Sequence, residues 1–153
     1  MFDRLKGVFE SLNSHQVKYL VIGGVAAIAH GSERNTFDLD ILIEPTLENA
    51  QRLLQALLAA NFGTAALITP EELLRQEIVK FRDWVLIDVM TAAPGLEWRQ
   101  AWDRRVTGEA RGVTLPTISL EDLLASKRAA GRKKDLADIE FLTTGEDEAH
   151  AES

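Results

Sequence analysis

The sequence predicts an α+β fold in which helices pack on a small mixed sheet of four or five strands. The chain has 153 residues, the usual size of one domain, and short strand patterns alternate with segments of helical periodicity along it. Its 46% hydrophobic and 27% charged residues exclude a disordered, collagen-like or fibrous chain. We therefore expect a single domain over residues 1–144, followed by an acidic, flexible tail over residues 145–153.

The first half of the chain is predicted to contain three helices and two strands. Apolar residues recur at helical spacing in residues 3–14, and residues 18–22 form a short apolar strand. An alanine-rich helix follows and is predicted to end at Gly31. Strict alternation over residues 37–44 indicates the second strand, and a helix over residues 46–60 completes this half.

The second half is predicted to alternate helices with paired strands. Its elements are, in order, a helix over 70–77, a hairpin of 78–81 and 84–90, a short helix over 96–102, a second hairpin or an irregular loop over 104–116, and helices over 119–130 and 133–142. Pro70 suits the first position of its helix, Ser119 is a typical N-cap, and Gly131 separates the last two helices.

Composition excludes several kinds of site. The chain has no cysteine, which excludes disulfides, thiol nucleophiles and thiolate zinc sites, and its three histidines are scattered. Any bound metal is therefore expected to be a hard ion with oxygen ligands. No apolar run approaches the roughly 20 residues that cross a bilayer. We expect a cytoplasmic protein with no membrane partner.

Charge is unevenly distributed along the chain. The formal net charge is −7, which argues against a protein that binds duplex nucleic acid through bulk electrostatics. Residues 99–134 nevertheless carry nine Lys or Arg and four Asp or Glu. This basic segment is either a solvated surface or a contact for a phosphate-rich partner, and charge alone does not separate the two.

The strongest chemical signal is the pair Asp38 and Asp40 in the second predicted strand. Alternation places both carboxylates on one face, roughly 6.5 to 7 Å apart. Two such groups near an apolar core repel each other and lose hydration, so a positive partner is expected, and Mg²⁺ is the natural one. The alternative is that this face of an edge strand simply meets solvent.

Two further signals accompany this pair. Gly23 and Gly24 follow the first strand and precede a helix, where backbone N–H groups can approach a phosphate. A tight turn that requires glycine is the alternative interpretation. Asp88 lies in the strand at 84–90 at a position where a core residue is expected. If that strand lies beside the one at 37–44, three carboxylates converge and can hold two divalent ions for in-line displacement at phosphorus.

These motifs resemble the nucleotidyltransferases of the DNA polymerase beta superfamily, especially their minimal forms. The resemblance covers most of the chain: Ile-Gly-Gly at residues 22–24, Asp-Leu-Asp at residues 38–40 and a later Asp88. Arg34 and Thr36, together with the ending at residues 119–142, are most similar to nucleotidyltransferase-like toxins of abortive-infection and toxin–antitoxin systems. Lincosamide-type antibiotic nucleotidyltransferases are similar in layout.

The resemblance implies transfer of a nucleoside monophosphate from an NTP, such as ATP, to a hydroxyl, with pyrophosphate as the leaving group. It implies that Asp38, Asp40 and Asp88 are the catalytic residues and the ligands of two Mg²⁺ ions. The nucleotide-binding residues that it implies are Gly23, Gly24, Ser32, Arg34, Lys127 and Lys133. Many relatives have a phosphate-contacting serine at the position of Gly24, and Ser32 is the residue of this chain that could replace it.

Several alternatives stay open at this point. The acceptor implied by the resemblance is an RNA or tRNA end, a hydroxyl of a partner protein, or an antibiotic, and the base of the NTP and the oligomeric state are not specified. A non-catalytic module of the same fold that binds a nucleotide or a partner is the competing function. We interpret Lys134 and Arg128 as solvated residues, and His30 as the residue that ends its helix. The three tryptophans, Trp84, Trp98 and Trp102, are interpreted as packing residues.

Overall fold

A computed structural model describes residues 2–31, 38–110 and 112–152 of the chain. Seven α-helices, six strands and one 3₁₀ helix occur in these ranges. In chain order they are α1 (Phe2–Ser14), β1 (Tyr19–Ile22), α2 (Gly23–Ala29), β2 (Asp38–Ile43), α3 (Leu47–Ala59), the 3₁₀ helix (Gly63–Leu67), α4 (Pro70–Leu74), β3 (Ile78–Arg82), β4 (Leu86–Met90), α5 (Trp98–Asp103), β5 (Val106–Ala110), β6 (Val113–Thr117), α6 (Leu120–Ala130) and α7 (Lys133–Glu152). Each predicted helix and strand is therefore confirmed in type.

The sheet has six strands in the order β3-β4-β2-β1-β6-β5, so the predicted number of four or five is wrong. The extra strand arises because the segment after α5 forms a complete antiparallel hairpin, β5–β6. β6 then pairs in parallel with β1 and joins this hairpin to the sheet. The sheet is mixed, as predicted: β1 and β2 are antiparallel, and β2 and β4 are parallel.

The two faces of the strands β2 and β4 differ in burial. Leu39, Ile41 and Ile43 of β2 are fully buried, as are Ile87 and Val89 of β4. These side chains belong to one hydrophobic core that also contains the apolar faces of α1 and α3. The acidic residues of both strands alternate with these core residues and therefore lie on the opposite face.

The ends of α6 bring the C-terminal helices to that acidic face. The Ser119 hydroxyl accepts a hydrogen bond from the Asp122 N–H at 3.1 Å and caps the start of α6. Gly131 ends the helix in the left-handed conformation, with φ of +65°, which favours glycine. The chain then turns and continues into α7.

The last helix is longer than predicted. α7 continues to Glu152 instead of ending at Leu142, so residues 145–152 extend it. Gly145 lies inside this helix, where a glycine costs only about 1 kcal/mol relative to alanine and does not by itself end a helix. Within the described ranges, no helix has both the length and the apolar composition needed to span a membrane.

Candidate active site

Two acidic side chains lie next to each other on the face of the sheet opposite Leu39, Ile41 and Ile43. Asp40 of β2 lies directly beside Asp88 of β4 in the parallel pairing of these strands, and the Asp88 carboxylate raises the pKa of Asp40. The Asp88 side chain is only 10% exposed. The expectation that the strand of Asp88 lies beside the strand of Asp40 is therefore confirmed.

Asp38 lies on the same face, two residues before Asp40 in β2. Its register partner on β4 is Leu86, which lies two residues before Asp88. The charge of Asp38 is close enough to act on Asp40 and contributes to the perturbation of its pKa. Asp38, Asp40 and Asp88 thus lie on one face of the sheet, and the charges of Asp38 and Asp88 both raise the pKa of Asp40.

The pKa of Asp40 is raised from its usual value of 3.8 to about 7. Burial is the largest cause, the negative charges of Asp88 and Asp38 follow, and the hydrogen bond with Asp88 adds to them, while the charge of Lys134 acts in the opposite direction. A raised pKa means that the ionised form of Asp40 is poorly stabilised by its surroundings. Near neutral pH this site therefore favours a positive species, either a proton or a cation, between the two carboxylates.

Gly23 is required beside Asp40. It begins α2 with φ of +66°, and a Cβ atom at this position would collide with the Asp40 carboxylate. Only glycine permits both the backbone conformation and the close approach. Gly24, by contrast, is buried inside α2.

A cavity of about 350 Å³ opens beside Asp40. Its lining residues come from the sheet, from the segment after β4, and from α6 and the start of α7. The lining includes Gly23, Asp40, Ile78, Met90, Pro94, Ser126, Lys127, Arg132 and Asp135. This volume lies at the lower end of the range of about 300 to 1,000 Å³ that is usual for small-molecule sites. The cavity has a mainly apolar wall and a charged side formed by the α6–α7 segment.

The basic residues of the cavity are held by acids. The Lys127 Nζ lies 2.8 Å from the Asp138 Oδ2 and 3.8 Å from the Asp135 Oδ1. Arg132 donates to the Asp135 carboxylate through Nε at 2.5 Å and Nη2 at 3.2 Å. Burial alone would raise the pKa of Asp135, but the hydrogen bond from Arg132 and the nearby charges lower it overall. Lys127 thus reaches the cavity as predicted, although it is already paired.

Near Gly131, the residues that line the cavity differ in part from the predicted nucleotide-binding residues. Lys133 is exposed and does not line the cavity. Lys134 is exposed, as interpreted from the sequence, and its charge lowers the pKa of Asp40. Arg132 lines the cavity and was not singled out. Ser32 and Arg34 lie outside the described residues, and their predicted role in nucleotide binding stays a prediction, as does that of Lys133.

Two basic residues of β3 were also missed. Arg82 Nη1 donates to Asp88 Oδ1 at 2.9 Å, and Lys80 Nζ lies 3.8 Å from Asp88 Oδ2. The available signal was the alternation of Lys80 and Arg82 in a strand predicted to form a hairpin with the strand of Asp88. That alternation places both cations on the face of Asp88.

The residues interpreted as structural have structural contacts. His30 ends α2, and its Nε2 lies 2.8 Å from the Ile118 carbonyl oxygen. Trp84 donates from Nε1 to the Ala60 carbonyl at 3.1 Å. Trp98 and Trp102 stack with ring centroids 5.2 Å apart and pack against the core. His30 thus ends its helix as expected, and Trp98 and Trp102 are packing residues as expected, whereas Trp84 is 41% exposed.

The pair Asp40 and Asp88 fits a hard divalent cation. Within the described part of the chain, no group of three or more acidic or histidine side chains is arranged to enclose a metal ion. Mg²⁺ does not need such a cage, because it typically takes one or two protein carboxylates and completes its shell with water and substrate phosphate oxygens. Two carboxylates at adjacent register positions, one with a pKa raised to about 7, provide such a donor set.

Comparisons with known proteins agree with this architecture. Residues 3–143 match the family described as "Nucleotidyltransferase of unknown function (DUF6036)". A solved structure from Thermotoga maritima, described as a candidate nucleotidyltransferase, is similar with a TM-score of 0.57. The two proteins are 16% identical, and the alignment covers 94% of this chain and 91% of that one, which shows a shared fold. No curated protein matches the chain. Because the family match covers nearly the whole domain, the chain belongs to this nucleotidyltransferase family of unknown function.

Proposed function

We propose that this protein transfers a nucleoside monophosphate from a nucleoside triphosphate to a hydroxyl group and releases pyrophosphate. The observation that carries the proposal is that Asp40 lies directly beside Asp88 in the strand register and, together with Gly23, lines a cavity. Two carboxylates on neighbouring strands, beside a cavity with a basic side, are suited to phosphoryl chemistry. Membership of a nucleotidyltransferase family supports this assignment.

Asp40 and Asp88 would hold a divalent cation, with Asp38 contributing negative charge nearby. When bound, such an ion neutralises phosphate charge and lowers the pKa of an attacking hydroxyl. Two ions, as the resemblance implies, remain part of the proposal. The register of β2 on β4 places Asp40 directly beside Asp88, so the proposed ligands are adjacent in the sheet.

The remaining residues bind and orient the substrates. The apolar wall of Ile78, Met90 and Pro94 suits a nucleobase and its sugar. Lys127 and Arg132 form the basic side, which suits the phosphates. The attacking hydroxyl oxygen forms a bond to the α-phosphorus, the bond from this phosphorus to the α,β-bridging oxygen breaks, and pyrophosphate leaves. Asp88 is the proposed acceptor of the proton of the hydroxyl.

Label transfer tests this proposal. Wild-type protein is incubated with each of the four α-labelled ribonucleoside triphosphates, Mg²⁺ and a cell extract or total RNA. We expect labelled product from wild type and a loss of at least about 100-fold for Asp40→Asn and Asp88→Asn, because each change removes a cation ligand. Asp103→Asn, at an exposed acid on α5, is the matched control and should keep full activity. Absence of transfer with all four nucleotides would contradict the proposal.

A non-catalytic nucleotide-binding module is the second candidate. The ion pairs of the site favour this function, because Asp88 is already paired with Arg82 and Lys127 is already paired with Asp138. A module of this kind would bind a nucleoside triphosphate without transferring any part of it. Tight binding of a triphosphate by wild type, without labelled product from any acceptor, would establish this function instead.

The acceptor and the biological role complete the proposal. The labelled product identifies the acceptor class directly, since an RNA end, a protein hydroxyl and a small molecule separate on a denaturing gel. A toxin of a toxin–antitoxin pair is the proposed role, supported by the similarity of residues 119–142 to toxin-like members. Expression of wild type should then arrest growth, and expression of Asp40→Asn should not.

A further inference from the structure

The acidic face of the sheet also carries two cations from the edge strand β3. In the antiparallel pairing of β3 with β4, Lys80 lies opposite Asp88 and Arg82 lies opposite Leu86. Leu86 in turn pairs with Asp38, and Asp88 pairs with Asp40. Residues opposite each other in a sheet share a face, so the three acids of β2 and β4 and the two cations of β3 form one charged surface.

Arg82 makes the shorter contact with Asp88. Its Nη1 lies 2.9 Å from Oδ1, whereas Lys80 Nζ lies 3.8 Å from Oδ2. The Asp88 side chain is 10% exposed, while those of Arg82 and Lys80 are 39% and 59% exposed. The acid is therefore fixed in the sheet, and the two cations reach it from solvent on long side chains that can move away.

A divalent cation bound by Asp88 would compete with Arg82. A carboxylate oxygen that accepts from a guanidinium at 2.9 Å has less negative potential to offer a metal. Two positive centres next to the same oxygen also repel each other. Arg82 would therefore lose much of its attraction to Asp88 when the cation binds, and the nearest new anion would be the triphosphate that the cation brings.

We propose that Arg82 is a positioning residue that exchanges partners: it holds Asp88 in the free protein and contacts the triphosphate once a divalent cation has taken its place. This inference rests on the proposed function, because it assumes that Asp88 binds a cation and that the cavity binds an NTP. Lys80 makes a smaller contribution to this exchange of partners, since its contact with Asp88 is longer and its side chain is more exposed.

The exchange predicts opposite effects of one substitution on two affinities. Arg82→Gln removes the competitor, so the protein without nucleotide should bind Mg²⁺ at least about threefold more tightly in titration calorimetry. The same variant lacks the phosphate contact, so in the presence of Mg²⁺ it should bind the NTP analogues with an α,β-methylene bridge at least about threefold more weakly. If Arg82 only supported the fold, its substitution would weaken the binding of both Mg²⁺ and the NTP analogues.

The controls separate failure of this inference from failure of the proposed function. Arg82→Lys keeps a cation at the site and should retain Mg²⁺ affinity within about twofold of wild type. Arg52→Gln removes a surface arginine paired with Glu48 at 2.6 Å, far along the chain from the site, and should change neither affinity. If Arg82→Gln fails to fold, Lys80→Gln carries the same test with smaller shifts in the same two directions.

Three outcomes would overturn the inference. If wild type binds both ligands and Arg82→Gln shifts both affinities in the same direction, the exchange is wrong and the proposed function stands. If Arg82→Gln changes neither affinity, Arg82 is a surface ion pair only. If wild type binds neither Mg²⁺ nor any of the four analogues, the proposed function fails, and the exchange fails with it.

Discussion

Lys127 and Asp138 form a buried ion pair that joins α6 to α7. The Lys127 Nζ lies 2.8 Å from the Asp138 Oδ2, and both side chains are less than a tenth exposed. Asp135, also buried, lies on the same side of α7 at 3.8 Å from this ammonium group. The pair fixes the two helices that form the charged side of the cavity, so substitutions at Lys127 act on stability as well as on the site.

Removal of the Lys127 charge is expected to destabilise the protein strongly. Lys127→Met removes the ammonium group that pairs with Asp138, and breaking a buried pair from one side costs about 3 to 5 kcal/mol. The free energy of unfolding in urea measures the loss. Lys6→Met, which breaks an exposed pair with Glu10 at 3.9 Å, is the matched control and should cost less than about 1 kcal/mol. Equal losses in the free energy of unfolding for the two variants would show that the buried pair does not stabilise the packing of α6 on α7.

A methyl group at Gly23 is expected to displace Asp40. Gly23→Ala combines a strained left-handed backbone, at φ of +66°, with a collision against the Asp40 carboxylate. Gly112→Ala isolates the first effect, because Gly112 has φ of +80° and open space where a Cβ would be. The control should cost about 1 to 2 kcal/mol in urea unfolding, and Gly23→Ala at least about 1 kcal/mol more. Equal costs would mean that the Asp40 side chain moves aside freely.

Stability is expected to fall as the pH rises toward 7, because of Asp40. The pKa of this acid is raised from 3.8 to about 7 in the folded protein, so between these values the folded state holds a proton that the unfolded state releases. The free energy of unfolding therefore decreases across this window as the pH increases. Asp40→Asn removes the titrating group and should be more stable than wild type at pH 8 by on the order of 2 kcal/mol.

Urea unfolding from pH 4 to 8 without divalent cations measures this difference. The advantage of Asp40→Asn should shrink as the pH is lowered toward 4, where wild-type Asp40 is protonated in the folded state. Asp103→Asn, at an exposed acid, provides the baseline for loss of one carboxylate. A wild-type curve that runs parallel to the Asp40→Asn curve across the whole range would rule out the raised pKa.

The elements of the fold were predictable because their signals are local. Alternation over residues 37–44 gave β2, and Ser119 and Gly131 marked the ends of α6. The pairing of strands joins segments that are separated in the sequence, so features that depend on this pairing were not predicted. The sixth strand depends on where β6 docks, beside β1, and the approach of Arg82 to Asp88 depends on the register of β3 on β4.

The candidate site was predictable to the extent that its chemistry is unusual for a strand. Asp38, Asp40 and Asp88 stood out as acids among core residues, and the structure places them on one face. The effect of Lys134 on the pKa of Asp40 could not be predicted in the same way. It depends on the direction in which the chain leaves Gly131, which adjacent lysines in a sequence do not reveal.

Strand β2 has one further consequence, for how this protein can vary. Its odd-numbered side chains from Leu39 to Ile43 fill the core, and its even-numbered ones begin with the two acids of the site. Inserting or deleting one residue within the strand would reverse both sets, so aliphatic groups would face water while carboxylates entered the interior. Insertions and deletions are therefore tolerated only in the connections at either end of the strand. The acidic site and the packing of the core depend on the same strand register, so a change that disrupts one disrupts the other.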